Sequence, residues 1–168
     1  MKDNIILIGF MGCGKSSVGI KLSYRLKRTI IDTDKWIEKK QGMTISDIFA
    51  TEGEPAFRQM ETDCLKALIE TADKQIISVG GGLPMKEENH GLLKKLGRVV
   101  YLKITPEAVY ERLKGDTTRP LLQVEDPMKK IEELLALRGP VYEKCADVVI
   151  EVSDKSFEEI LEQIEAGL

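Results

Sequence analysis

The sequence predicts an α/β fold, a parallel β-sheet flanked by helices, and three observations predict it. Apolar runs of strand length, Ile5-Ile6-Leu7-Ile8 foremost, alternate along the 168 residues with stretches whose apolar positions recur at helical spacing. The strand runs are continuously apolar rather than alternating, as in strands covered on both faces. The first run passes directly into Gly9-Phe10-Met11-Gly12-Cys13-Gly14-Lys15-Ser16, which fits G-x-x-x-x-G-K-[ST] between a buried strand and a helix.

Taken in order, a helix over 15–27 follows that turn, carried by Val18, Leu22 and Leu26. A short strand over 29–32 leads into Asp32-Thr33-Asp34, then a helix over 35–41 that Gly42 ends. Thr44 caps a helix through Ile45, Ile48 and Phe49 that stops before Gly53, and 55–72 is helical through Phe57, Met60, Cys64, Leu65, Leu68 and Ile69. A third strand over 75–79 ends in Gly80-Gly81-Gly82, and a short helix over 86–95 precedes a strand over 98–103. Thr105-Pro106 and Asp126-Pro127 each place a capping residue before Pro at the first helical position, opening helices to about 114 and through Ile131, Leu134, Leu135 and Leu137. Between them 115–124 lacks apolar periodicity and is expected to be a loop. A fifth strand over 147–152 and a closing helix over 156–164 complete the chain.

This length suits one domain with one core, so 1–168 is expected to be a single unit. Hydrophobic residues at 42% and charged residues at 32% are those of a globular protein. The net charge of −3 and pI near 5.4 give no reason to expect nucleic acid or an anionic membrane as partner, so any anion must be bound by locally gathered cations. Three scattered cysteines without a C-x-x-C pair suit a reducing compartment. The chain enters a strand within four residues of Met1 and its apolar runs are strand-sized. Neither a leader nor a spanning helix is therefore expected, and the location expected is cytoplasmic. No apolar stripe is left over, so the expected state is a monomer.

The chemistry of the first turn stems from its residue types. Gly12 and Gly14 allow backbone conformations that turn successive N–H groups toward an anion at the helix N-terminus. Lys15 can then reach the β- and γ-phosphates of a nucleotide, and the Ser16 hydroxyl can join a Mg²⁺ shell already holding phosphate oxygens and water. Cys13, inside the loop, is a small filler or a thiol at a helix N-terminus. Ligands of such sheets gather beyond the carboxyl ends of the strands, which makes neighbours of Gly9 to Ser16, Asp32 to Asp34 and Gly80 to Gly82.

Asp32 and Asp34 face opposite ways if the chain is still extended there, one toward a metal and one toward a bound hydroxyl; alternatively Asp34 only caps the next helix. Arg58 and Glu61 are three apart on a helix, either a plain surface pair or an arginine fork presented to a carboxylate. The three consecutive glycines suggest close approach by a ligand. Arg119, in the unpatterned loop, is solvated surface or the loop arginine that offsets charge on a transferring phosphoryl group. His90 is expected at the surface, and Trp36 is either core or a wall of the pocket.

Together the loop, Asp32-x-Asp34-x-x-Ile37-Glu38, Gly53-Glu54-x-x-Phe57-Arg58-x-x-Glu61, Gly80-Gly81-Gly82, Arg119-Pro120-Leu121-Leu122 and Arg138-x-Pro140-x-Tyr142 resemble the shikimate kinase family over nearly the whole chain. The resemblance implies a three-layer P-loop kinase fold, like that of nucleoside monophosphate kinases, with a five-stranded sheet in the order 2-3-1-4-5. It implies substrate-binding helices over about 33–61 and a lid over about 112–124. The activity implied is phosphorylation of the 3-hydroxyl of shikimate by MgATP, on the route to chorismate and the aromatic amino acids. By the family's pattern, ATP is held at Gly12, Cys13, Gly14, Lys15, Ser16, Ser17, Arg112 and Arg119, with Arg112 stacked on adenine. Mg²⁺ falls to Ser16 and Asp32. Shikimate falls to Asp34, Arg58, Gly80, Gly81, Gly82 and Arg138, with Glu61 orienting Arg58, and Lys15, Asp34 and Arg119 serve catalysis. Two departures stand out: the stretch after the last strand, Val152-Ser153-Asp154-Lys155, has no adenine-contacting signature, and the third strand ends in Ser78-Val79-Gly80 where many P-loop proteins place an aspartate. The rivals are a kinase of another polyol acid such as gluconate, which is not expected to carry the paired arginines and triple glycine at these spacings, and a nucleotide switch, which should carry an N-K-x-D run that is absent here.

Overall fold

The computed structural model describes residues 2–114 and 124–168. In chain order the elements are β1 (Ile5–Ile8), α1 (Lys15–Leu26), β2 (Ile30–Asp32), α2 (Thr33–Gln41), α3 (Ile45–Glu52), α4 (Glu54–Thr71), β3 (Ile76–Ser78), a 3₁₀ turn (Leu83–Met85), α5 (Glu88–Leu96), β4 (Arg98–Lys103), α6 (Pro106–Leu113), α7 (Pro127–Cys145), β5 (Val148–Glu151) and α8 (Phe157–Ala166). All four strand pairings are parallel and the order is β2-β3-β1-β4-β5.

That order explains the apolar pattern. β1, central, has all four residues buried, as a strand with helices on both faces must. The edge strands relax the rule: every residue of β2 is only half-buried, and Val149 of β5 is exposed. The core is one cluster running from β1 through Leu65 and Leu68 of α4 to Ile160 and Ile164 of α8. Leu137, counted among the apolar positions of α7, is 70% exposed and lies outside it. Asn4 pins the opposite end of the sheet, its amide donating to the carbonyls of Ala72 and Leu96 and accepting from Gln75 N.

The register delivers the site. Leu7 of β1 pairs with Ser78 of β3, and Ser78 with Asp32 of β2, so three neighbouring strands end level. The segments that leave these strands, namely the glycine loop before α1, the start of α2 and the triple glycine, are therefore brought to one edge. Most of the segment expected as a lid lies outside the described residues, and Arg119 with it.

Candidate active site

The phosphate half begins at α1. Gly12 and Gly14 have φ of 80° and 92°, the left-handed region that glycine enters without steric cost. Gly14 is also the N-cap, and with no side-chain cap and no acidic residue in the first turn, the leading amides of α1 are left to an anion. By contrast α2, α3, α6, α7 and α8 are each capped by an Asp, Ser or Thr side chain. Lys15 Nζ donates to the carbonyl of Gly9 at 2.6 Å, which holds the ammonium over the loop. From the last turn of α6, Arg112 donates to the carbonyl of Gly12 at 2.8 Å.

The acceptor half is built on bare backbone. A Cβ on Gly82 would stand 2.6 to 2.8 Å from the guanidinium atoms of Arg58, so the group lies directly on the glycine. Arg138 of α7 reaches the same turn, its Nη1 3.6 Å from where a Cβ of Gly81 would be, and its guanidinium lies 5.9 Å from the centre of the Phe10 ring. Tyr142, one helical turn beyond Arg138, donates its hydroxyl to the carbonyl of Gly81 at 2.6 Å, and burial pushes this phenol above its usual range, so it keeps that proton. The two arginines thus converge on one glycine turn from α4 and α7.

Three carboxylates set the electrostatics. Asp32 is the N-cap of α2, its side chain accepting from Lys35 N at 3.2 Å. This removes the alternative in which Asp34 is only a cap, and corrects the expectation that the pair straddles an extended strand. The helix starts at Thr33, and both aspartates line the same cavity. The cause is Thr33, fully buried, whose hydroxyl accepts from Gly80 N at 3.1 Å and ties the start of α2 to the glycine turn. Burial raises the proton affinity of Asp34, and Asp32 adds to that while Lys15 opposes it. Glu61 is 1% exposed and accepts from Arg58 Nη1 at 2.6 Å. Burial pushes its carboxyl up to about 7 against the pull of Arg58. Its other oxygen, without a hydrogen-bond partner, lies 3.1 Å from the place a Gly80 Cβ would take, and Asp34 Oδ1 lies 3.0 Å from that same point. The plain surface-pair reading of Arg58 and Glu61 therefore fails, because one partner is buried.

A cavity of about 810 Å³ joins the two halves. Its lining brings together Gly12, Gly14, Lys15, Ser16, Ser17, Asp32, Asp34, Arg58, Glu61, Gly80, Gly81, Gly82, Arg112 and Arg138. Cys13 is the exception. Its side chain is buried against the loop, its N–H donates to the carbonyl of Phe10, and its thiol does not reach the cavity lining. Trp36 packs on the core rather than forming a wall of the pocket. His90, expected at the surface, is half-buried with Nε2 2.6 Å from the carbonyl of Pro84. Phe10, Phe57 and Phe157 are lining residues that the sequence reading did not assign to the site. The first two sit inside or beside quoted motifs; Phe157, at the start of α8, comes after the stretch that lacked a nucleotide signature.

For a divalent cation the donor chemistry fits. The Ser16 hydroxyl and the Asp32 oxygen not used in capping are hard oxygen donors, and a cation held by so few protein groups is one that keeps water and phosphate oxygens in its shell. Among the described residues no cluster of three or more His, Cys, Asp or Glu could serve as a metal cage.

Comparison with known proteins bears on this geometry. The shikimate kinase family model matches residues 11–168. The chain belongs to the shikimate kinase family. A shikimate kinase of Thermodesulfovibrio yellowstonii is 46% identical over 161 residues, 96% of this chain and 92% of that one. Among solved structures, a shikimate kinase from Acinetobacter baumannii in complex with shikimate is 39% identical with a TM-score of 0.88, covering 98% of this chain and 92% of its own. One from Aquifex aeolicus is 37% identical with a TM-score of 0.84, covering 98% and 95%. The five-stranded order expected from the family is the order found.

Proposed function

We propose that this chain transfers the γ-phosphoryl group of MgATP to the 3-hydroxyl of shikimate, giving shikimate 3-phosphate and ADP on the route to chorismate. The observation that carries the reading is the convergence of Arg58 and Arg138 on Gly81 and Gly82 in the cavity that also holds the glycine loop and Lys15. Two planar cations beside bare backbone suit a carboxylate, since a guanidinium fork grips both oxygens at once. They give a protein of net charge −3 a means of selecting an anionic acceptor. A simple polyol would bring no carboxylate to either cation.

In this reading the acceptor hydroxyl oxygen bonds to the γ-phosphorus as the bond from that phosphorus to the bridging oxygen of ADP breaks. Phosphoryl transfer passes through a loose transition state, so positioning and charge neutralisation dominate. Lys15 leaves the Gly9 carbonyl for the phosphate oxygens, and the amides of α1 hold the anion. Asp34 accepts the hydroxyl and aligns it, and its raised proton affinity equips it to take the proton as the new bond forms. Ser16 and Asp32 would hold Mg²⁺, which when bound neutralises phosphate charge. Arg112 and Phe157 would flank the nucleotide base, and Arg119 would meet the transferring group. One chain holds both halves of the site, in keeping with a monomer, and a cytoplasmic location is part of the same proposal. No helix among the described residues is long and apolar enough to cross a membrane.

The test is ADP release by the purified chain with ATP and Mg²⁺, with shikimate, with gluconate and with no acceptor. Release that depends on shikimate is expected. Equal release with gluconate would transfer the reading to another polyol acid kinase, and release independent of any acceptor would sink it.

A further inference from the structure

Two buried polar side chains outside the cavity bear on how its acceptor half is held. Thr62 of α4 and Asn89 of α5 are 0% and 1% exposed, and neither lines the cavity. Burying such groups costs free energy unless they are bonded, and here the bonding has one direction. Asn89 Nδ2 donates to the carbonyl of Leu83 at 2.9 Å, which turns its Oδ1 toward Thr62. The Thr62 hydroxyl has a single proton and lies 2.8 Å from that Oδ1, against 3.2 Å from the carbonyl of Arg58, so the proton goes to Asn89.

The two ends of this relay are parts of the acceptor subsite. Thr62 is one helical turn beyond Arg58 on α4. Leu83 is bonded to Gly82, the residue on which the Arg58 guanidinium lies. From Arg58 the connection runs through Gly82 to Leu83, through the Asn89 amide to Thr62, and back along α4 to Arg58. It closes without using the Arg58–Glu61 pair. The Asn89 amide, with a donor and an acceptor on one planar group, closes it at this reach.

We propose that Asn89 is a positioning residue for the acceptor carboxylate, fixing the separation between the Arg58 guanidinium and the bare backbone of Gly82 by holding the Leu83 carbonyl to Thr62. The proposal rests on the acceptor reading above. Its consequence is that loss of the relay loosens one fork of the carboxylate grip and leaves the phosphate half, which no member of the relay touches, as it was.

The test compares steady-state kinetics of Asn89→Ala, Thr62→Val and Thr62→Ser with those of the wild-type chain, varying shikimate and ATP separately. In Asn89→Ala and Thr62→Val the KM for shikimate is expected to rise about tenfold or more, with the KM for ATP and the kcat at saturation within about twofold. Thr62→Ser keeps the hydroxyl and is expected to behave as wild type. A merely structural role would lower stability and leave that split absent, so an unchanged KM for shikimate, or equal changes for both substrates, overturns the proposal. Should Asn89→Ala fail to fold, the Thr62 pair decides the matter, because Thr62→Val replaces only the hydroxyl and Thr62→Ser removes only the methyl group. Wild-type chain without shikimate-dependent ADP release would bring down the acceptor reading and this proposal together, whereas an active wild type with unaltered variants brings down the proposal alone.

Discussion

Gly82 separates two reasons for a glycine. Its φ of −90° and ψ of −10° are open to any residue, so conformation does not demand it; the Arg58 guanidinium at 2.6 to 2.8 Å from a would-be Cβ does. Gly82→Ala is therefore expected to keep or raise stability, by up to about 1 kcal/mol through a less flexible unfolded chain. It should also displace Arg58 and raise the KM for shikimate about tenfold with ATP binding unchanged. A calorimetric scan beside two substrate titrations checks both halves. Glu61 makes a prediction about pH. Unfolded, its carboxyl ionises near 4.5; folded, burial keeps the proton until about 7. Between those values the folded chain binds more protons than the unfolded one, so this group's contribution falls as pH rises through the window, by about 3 kcal/mol, and is level above it. Asp34, also raised, acts in the same direction, and Asp147, which is lowered, has finished titrating in both states by pH 5. Denaturant unfolding at pH 5 and pH 8 should show a smaller loss in Glu61→Gln than in wild type. Equal losses would mean that Glu61 is ionised throughout.

Among the elements, α2 carries a residue with two tasks. Asp32 caps the helix and, in the proposed reading, would offer an oxygen to Mg²⁺, and the tasks separate because asparagine caps as well as aspartate but lacks the charge. Asp32→Asn is expected to stay within about 0.5 kcal/mol of wild type in stability, whereas Asp32→Ala loses about 1 kcal/mol. Both should need several-fold more Mg²⁺ for half-maximal activity, as charge on the donor sets the cation's affinity. Activity against Mg²⁺ concentration checks this, and an unchanged requirement in Asp32→Asn would remove Asp32 from the cation's shell. The same element shows where a sequence can be read and where it cannot. The glycine loop was legible because each fixed position answers a local demand, a left-handed φ or a reach to phosphate, and the five strands were legible because parallel sheets leave continuous apolar runs. The capping by Asp32 and the early start of α2 were not legible, because the start of α2 is tied down by a contact between Thr33 and Gly80, 47 residues apart. Phe157 was missed because an aromatic opening an amphipathic helix looks like core, and only the docking of α8 against α1 brings it to the cavity. Asn89 was invisible for the same reason: its bonds run to α4 and to the 3₁₀ turn, and nothing local marks them.

For the whole molecule the sheet is a common platform, and its order decides what couples to what. β2, β3 and β1 end level, so both halves of the cavity stand on the buried centre of the fold, while the two arginines arrive from α4 and α7, which are far apart in sequence. Each ligand should then stabilise the entire cooperative unit rather than a part of it. At 100 times its dissociation constant a ligand adds about 2.7 kcal/mol. For a chain of this size that is a rise in Tm of about 5 to 11 °C. ATP with Mg²⁺ and shikimate should each produce such a rise. Arg58→Ala should lose most of the shift caused by shikimate and keep the shift caused by the nucleotide, because no bond of Arg58 reaches the glycine loop or α1. Thermal melts of both chains with each ligand alone make the comparison. Loss of both shifts together would show that Arg58 supports the platform and not one ligand upon it, and the carboxylate grip would lose its foundation.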